Sequence, residues 1–207
     1  VDHAFYLYIN GTPVGYSSNS HSMSEFDCTA YLKNGVNRIA IVVMKWSVAS
    51  YLEHQEAFQQ ARVSLSGIFR DVYLLARPVG GVQDITIQQT FSPDYKTAVL
   101  SVNVNALCPQ QIDLTLFDPS GETIGQAILD ENGKCLFEIQ SPSLWNGESP
   151  KLYTLLTHYN GEYTPHKIGL RQIDIENGVF RLNGRRVTLK GVNYEEFTPK
   201  SGTAVSY

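Results

Sequence analysis

The fold of this chain is decided by residues 112–121, which read IDLTLFDPSG. Ile112, Leu114 and Leu116 alternate with polar neighbours, which is the period of a β-strand that buries one face. The Asp-Pro-Ser-Gly sequence that follows has the composition of a tight turn. Working outward, similar strands and turn signals recur at intervals of about 8–12 residues, the spacing that is typical of sandwiches. About seven strands over roughly 90 residues predict an immunoglobulin-like β-sandwich over residues 80–173, closer to the fibronectin type because paired cysteines are missing.

Residues 1–78 also read as strands. Residues 5–9 and 13–16 flank Asn10-Gly11, and an Asn-Gly pair between such runs is a strong hairpin signal. Two continuous apolar runs, residues 38–44 and 68–75, predict strands that are buried on both faces. Residues 51–62 have poor helical periodicity, so we expect a long structured loop there. The composition of residues 77–81, RPVGG, predicts a linker to the sandwich.

After the sandwich, two Asn-Gly turns at residues 177–178 and 183–184 predict tandem hairpins. They lead into an apolar run that ends in Gly191-Val192-Asn193, with carboxylates behind it. This is the pattern expected at the mouth of the first strand of a (β/α)8 barrel, where barrel active sites lie. The chain stops at Tyr207 and begins without Met, so we interpret it as an internal piece of a larger protein.

Bulk composition excludes several classes. An apolar fraction of 43% with 17% charged residues fits a globular chain, and a net charge of −4 without a basic cluster argues against nucleic-acid binding. No apolar stretch approaches the roughly 20 residues that span a bilayer, so we expect no membrane partner. Cys28, Cys108 and Cys135 are odd in number and lack CxxC spacing. We therefore expect free, mostly buried thiols, no structural zinc and a cytoplasmic location.

Motifs along nearly the whole chain resemble glycoside hydrolase family 2 β-galactosidases. In order, these are residues 24–27 (SEFD) with Asn37-Arg38, residues 46–55 (WSVASYLEHQ), residues 66–72 (SGIFRDV), residues 144–153 (LWNGESPKLY) and residues 191–193 (GVN). The resemblance implies a mainly β chain in three segments. Residues 1–78 would be the C-terminal half of a sugar-binding-like jelly-roll domain, residues 80–173 the immunoglobulin-like sandwich, and residues 174–207 the hairpin and first strand of the barrel domain.

The resemblance also implies chemistry. Family enzymes cleave terminal β-galactosides with retention, using an acid/base glutamate and a nucleophilic glutamate about 5 Å apart. Both would lie beyond Tyr207, so we expect no catalytic residue here and an inactive chain. No cofactor is expected in this chain, although family members use Mg²⁺ or Na⁺. The expected partners are the β-galactoside, the other domains of the parent and a second copy, since a half jelly roll leaves strand edges open.

Three residues are predicted to bind substrate through this resemblance. Asn193 and Glu195 share one face of the local strand by alternation, and Glu195 stands where the family has a sugar-contacting His. Asn19 stands where some members have an aspartate that contacts sodium and sugar. Tyr194 replaces the usual Arg. These departures keep β-glucuronidase or β-mannosidase activity and a non-catalytic carbohydrate-binding or assembly module open as alternatives.

Several other residues have a structural and a functional interpretation. Trp145 would be a core or corner residue of the sandwich and less readily a stacking surface for sugar. Arg70 is expected in an interdomain ion pair rather than on substrate. Glu195 and Glu196 are neighbours on a strand and point to opposite faces, which argues against a catalytic pair. His21 and His54 lack partners at metal spacing and are expected in surface loops.

Overall fold

The computed structural model describes residues 1, 3–19, 22–48, 67–194 and 198–200. The chain divides into two compact units, one formed by Val1–Leu74 with Asn193–Tyr207 and the other by Leu75–Val192. In the described ranges, no helix has the length and apolar character needed to cross a membrane. The chain is mainly β, as predicted, with short 3-10 turns at Thr29–Tyr31 and Pro109–Gln111.

The second unit contains the predicted sandwich. Its strands are β4 (Val82–Phe91), β5 (Thr97–Ala106), β6 (Asp113–Phe117), β7 (Thr123–Ile128), β8 (Lys134–Gln140), β9 (Tyr153–Tyr159) and β10 (Glu162–Ile168). They form one sheet in the order β4-β5-β8 and another in the order β10-β9-β6-β7. The pairings are antiparallel. The immunoglobulin-like architecture is therefore confirmed.

Alternation along the strands builds the sandwich core. Leu100 and Val102 on β5 face Leu114 and Leu116 on β6, together with Leu155 on β9, in one cluster of buried side chains. Each of these side chains is at most 1% exposed. Burying a side chain of this size stabilises the fold by roughly 1.5–3 kcal/mol. The period-two pattern that predicted the strands thus also selected the residues of the core.

A glutamine on β4 connects the first strand of the sandwich to the segment that follows its last strand. The Gln89 amide oxygen accepts a hydrogen bond from the Arg171 backbone N–H at 3.1 Å. The Gln89 amide nitrogen donates to the Gly169 carbonyl at 3.4 Å. The first strand of the sandwich therefore holds the segment that leaves its last strand.

A small sheet follows the sandwich in the same unit. Its strands are β11 (Ile173–Glu176), β12 (Val179–Leu182) and β13 (Arg185–Arg186), in that order. Asn177 and Asn183 have φ values of 51° and 52°, so both predicted Asn-Gly turns are present. Residues 187–194 carry no strand assignment, and Leu189 and Val192 are exposed.

The first unit contains a three-stranded sheet. Its strands β1 (Ala4–Ile9), β2 (Thr12–Ser17) and β3 (Ile39–Met44) lie in the order β2-β1-β3. Asn10 and Gly11 have φ values of 53° and 85°, so the predicted hairpin turn is confirmed. The side chains of Phe5, Leu7 and Ile9 on β1 are buried.

Two predictions for the first unit are wrong. Strand β3 is not buried on both faces. Ile41 and Val43 lie beside the buried face of β1 but are only half-buried, and Val42 on the other face is 51% exposed. Residues 68–75 form no strand, and Leu74 is 60% exposed. An apolar run indicates that a segment avoids water, but it does not supply the neighbouring strand or covering layer that burial requires. Residues 51–62, predicted as a loop, lie outside the described residues.

The three cysteines are free, as predicted, but they are not mostly buried. Cys28 and Cys135 are half-buried and Cys108 is exposed. Desolvation by burial, assisted by the nearby charge of Asp130, raises the pKa of the Cys135 thiol to about 11. Cys108 lies just before a 3-10 turn at a loop surface, where sequence alternation gave no sign of exposure.

Candidate functional site

The predicted substrate-binding residues lie on the surface or outside the described residues. Asn19 and Asn193 are both exposed. Glu195 lies outside the described residues, as do Glu196, His21 and His54. The structure therefore places two of the three predicted residues in solvent and leaves the third as a prediction.

The loop around Asn19 is organised by hydroxyl groups. The backbone N–H of Asn19 donates to the Ser17 hydroxyl at 3.3 Å, and the Ser24 hydroxyl donates to the same oxygen at 2.9 Å. In the described ranges, no three His, Cys, Asp or Glu side chains come close enough to hold a metal ion. Mg²⁺ and Na⁺ prefer several convergent oxygen ligands, commonly with carboxylates among them. The described residues therefore contain no carboxylate-rich cluster of the kind that such an ion prefers.

Trp145 occupies a corner at the end of the sandwich. Its indole is half-buried and lies against Gly169, where an added Cβ would come within 2.9 Å of the ring. The Arg171 guanidinium lies 4.9 Å from the ring centroid, in cation–π contact. The Trp145 backbone N–H donates to the Leu170 carbonyl at 2.8 Å. These contacts favour the corner interpretation over sugar stacking, because they already engage the ring.

Arg70 interacts with its own neighbour. Its guanidinium lies 5.3 Å from the centroid of the Phe69 ring and donates to the Phe69 carbonyl at 3.4 Å. These contacts are local, and the expected interdomain ion pair stays a prediction.

Two open depressions of about 500 Å³ mark the surface of the second unit. One contains Asp118 and Lys151, and the other contains Gln89 and Arg171. Hydrogen bonds from the side chain of Ser120 and then from backbone N–H groups lower the pKa of Asp118. A carboxylate held in its ionised form cannot act as a general acid near neutral pH. Asp118 is therefore not suited to the role of a general acid in the depression that contains it.

The side chain of Asn183, a residue that its sequence marks only as part of a turn, joins two other segments of the chain. The Asn183 amide nitrogen donates to the Trp145 carbonyl at 3.0 Å, and the amide oxygen accepts from the Gln172 N–H at 3.0 Å. In sequence, Asn183 is one of several Asn-Gly pairs and looks like an ordinary turn residue. No local signal could have distinguished it.

Two family models match almost the whole chain. One, described as the sugar binding domain of glycosyl hydrolases family 2, matches residues 1–78, and the other, described as glycosyl hydrolases family 2, matches residues 81–171. The chain belongs to glycoside hydrolase family 2. The resemblance inferred from the motifs is thus confirmed.

Curated relatives in this family carry the name β-galactosidase. The enzyme of Actinobacillus pleuropneumoniae is 40% identical over 209 residues, which cover 100% of this chain and 20% of the relative. The enzyme of Staphylococcus xylosus is 36% identical over 203 residues, which cover 98% of this chain and 20% of the relative. The chain therefore spans about a fifth of the length of these relatives.

Solved structures of the family share the fold at low identity. The β-glucuronidase of Ruminococcus gnavus matches with a TM-score of 0.76 and 18% identity, covering 100% of this chain and 38% of that chain. The β-glucuronidase of Parabacteroides merdae matches with a TM-score of 0.71 and 18% identity, covering 99% and 28%. At this level of identity the likeness concerns the fold, and it confirms the mainly β architecture of the family 2 chain.

Proposed function

We propose that this family 2 chain is part of an enzyme that hydrolyses terminal β-galactosides with retention. The observation that carries the proposal is 36–40% identity to β-galactosidases along essentially the entire chain. Four of the five motifs that suggested the family lie in the two matched regions, and the fifth, residues 191–193, follows them. A shared fold alone would not support a substrate, because one fold hosts many activities.

The proposed role of this chain within that enzyme is structural support and one wall of the sugar subsite. Asn193, Glu195 and Asn19 are the proposed contacts. A carboxylate at Glu195 would accept a hydrogen bond from a sugar hydroxyl, and an interaction of this charge-assisted kind is worth roughly 1.5–3 kcal/mol. Both glutamates of the retaining mechanism are expected outside residues 1–207, so the chain alone should be inactive.

The experiment is a comparison of glycosides. The full-length protein that contains this chain should hydrolyse p-nitrophenyl β-galactoside with a kcat/KM at least about 100-fold above that for the β-glucuronide and β-mannoside. A gap of that size corresponds to roughly 2.7 kcal/mol of transition-state discrimination. The isolated chain should give no turnover above buffer after repurification, and turnover that survives repurification would contradict its proposed non-catalytic role.

A β-glucuronidase is the second candidate. It stays open because Tyr194 and Glu195 stand where the galactosidase pattern has Arg and His, which are departures from the pattern for galactose. A preference for the glucuronide would overturn the first proposal in favour of this one. Failure on all three glycosides would leave the non-catalytic carbohydrate-binding module. A cytoplasmic location, inferred from the free cysteines, and the use of Mg²⁺ or Na⁺ by the full-length enzyme are parts of the proposal that need their own measurements.

A further inference from the structure

The Asn183–Gly184 turn lies against three residues, Tyr95, Trp145 and Gln172, which we together call the turn socket. Tyr95 belongs to the β4–β5 turn and Trp145 to the β8–β9 connection. Gln172 immediately precedes β11. Residues from three segments of the chain therefore contact this two-residue turn.

The Asn183 side chain uses both ends of its amide in this socket. Its nitrogen donates to the Trp145 carbonyl at 3.0 Å, across 38 residues. Its oxygen accepts from the Gln172 N–H at 3.0 Å, and its backbone N–H donates to the Gln172 carbonyl at 2.8 Å. A side chain that is satisfied at the donor and the acceptor is fixed in orientation, which a single hydrogen bond would not achieve.

Gly184 completes the fit. Its φ of 71° lies in the left-handed region, and an added Cβ would come within 3.1 Å of the Tyr95 ring. The Arg181 guanidinium donates to the Gly184 carbonyl at 3.1 Å from within the hairpin. Tyr95 itself has a φ of 57°. An aromatic residue persists in this region only where its surroundings hold it, and such residues cluster at sites with a role.

The other turn of the same sheet shows what the socket adds. Asn177 and Gly178 have φ values of 51° and 73°, which match those of Asn183 and Gly184 within a few degrees. Both glycines are exposed, but Asn177 is exposed where Asn183 is half-buried, and a Cβ on Gly178 would meet nothing within 4 Å. The backbone turn therefore forms without a socket, so the Asn183 side-chain bonds do more than close the hairpin.

We propose that Asn183 is a positioning residue, which fixes the direction in which the chain leaves β13 toward Lys190-Gly191-Val192. The hairpin carries this constraint forward, because the Val187 N–H donates to the Phe180 carbonyl at 3.1 Å beyond the last strand. Asn193 follows this segment in sequence. The inference rests on the proposed function in one respect, namely that the segment leads to a sugar site in the full-length enzyme.

The first test is amide hydrogen exchange in the 207-residue chain, with Asn183→Gly compared against Asn177→Gly. Glycine accepts positive φ in both turns, so each variant removes only the side chain. We expect the Val187 and Leu182 amides to exchange about tenfold faster in Asn183→Gly. The amides of Leu100 and Leu155 should keep their protection, which shows that the sandwich stays folded. Equal exchange at Val187 in the two variants would overturn the socket as an anchor.

The second test uses the same pair of variants in the full-length protein. Asn183→Gly should lower kcat about tenfold with less than a twofold change in KM, and Asn177→Gly should leave both constants unchanged. Asn183→Asp keeps the acceptor for Gln172 and loses the donor to Trp145, so its kcat should fall between the other two. A kcat for Asn183→Gly equal to that of the unaltered enzyme would overturn the positioning role.

The two tests separate this inference from the proposed function. If the unaltered full-length protein hydrolyses none of the glycosides, the proposed function fails and so does the positioning of a sugar site. The exchange rates then still decide whether Asn183 fixes the segment after β13. If it hydrolyses a glucuronide instead, kcat for that substrate replaces the galactoside readout, and the same outcomes support or overturn the inference.

Discussion

The sandwich of β4–β10 and the three-stranded sheet of β1–β3 both contain strands rich in apolar residues, but they bury those residues to different extents. In the sandwich, Leu100 and Leu155 are 0% exposed because two sheets face each other. In the other unit, β1 is buried on one face while Val42 on β3 and residues 68–74 keep much of their apolar surface accessible. The face of an apolar strand is therefore buried only where a second layer covers it.

The largest expected effect is the difference in stability loss between two alanine variants, one in each unit. Leu155→Ala should lower the free energy of unfolding by about 3 kcal/mol, because it leaves a cavity in a fully buried position. Val42→Ala should cost less than about 0.5 kcal/mol, since surface substitutions have small effects. Denaturant titration of the 207-residue chain measures both. Equal losses would show that β3 is covered as well as the core is, and the comparison would fail.

A smaller effect is expected on self-association. Exposed apolar surface next to strand edges recruits other chains, so the 207-residue chain should form dimers or larger species at tens of micromolar. Val42→Lys should weaken this association about tenfold or more in sedimentation velocity. Ile128→Lys, at an exposed position of β7 in the sandwich, is the matched control and should change it little. If the unaltered chain sediments as a monomer, the exposed apolar residues of the first unit do not mediate self-association.

The smallest expected effect is a pH dependence confined to the sandwich. Burial, and secondarily the charge of Arg77, lower the pKa of His166 on β10 below its usual 6.5. The neutral form is thus favoured in the fold, and the unfolded chain binds the proton more readily. Stability should be intact above about pH 6.5 and should decline as the pH falls from there through the lowered pKa.

His166→Gln should flatten this decline in thermal melts between pH 5 and 7. Lys167→Gln, the next position on the same strand, should not. If His166→Gln keeps the slope of the unaltered chain, the acid sensitivity arises from another group. That group would then have to be identified by titrating the ionisable residues of both units.

Local patterns were enough to predict the sandwich and its turns. Alternation at Leu114 and Leu116 identified both a strand and its buried face, and the Asn10-Gly11 pair located a hairpin, because each depends on neighbours in sequence. Burial of β3 and pairing of residues 68–75 depend on a second layer, so the same reasoning failed there. The importance of Asn183 depends on Trp145, 38 residues away. Glu195, the central residue of the predicted site, lies outside the described residues and stays a prediction.

The bonds from Gln89 to the segment after β10 set the order in which the sandwich can be completed during synthesis. The hydrogen bond to Arg171 joins residues 82 positions apart, and at roughly 5–20 residues per second a ribosome needs about 4 to 16 seconds to cover that distance. Strand β4 can pair with β5 almost at once, but the hydrogen bonds from Gln89 must wait until Gly169 and Arg171 have been synthesised. Contacts of such long range slow folding, because the intervening chain loses its freedom before the contact forms. The nascent chain thus carries a half-closed sandwich for seconds, and a chaperone that binds strand edges would have its longest opportunity there.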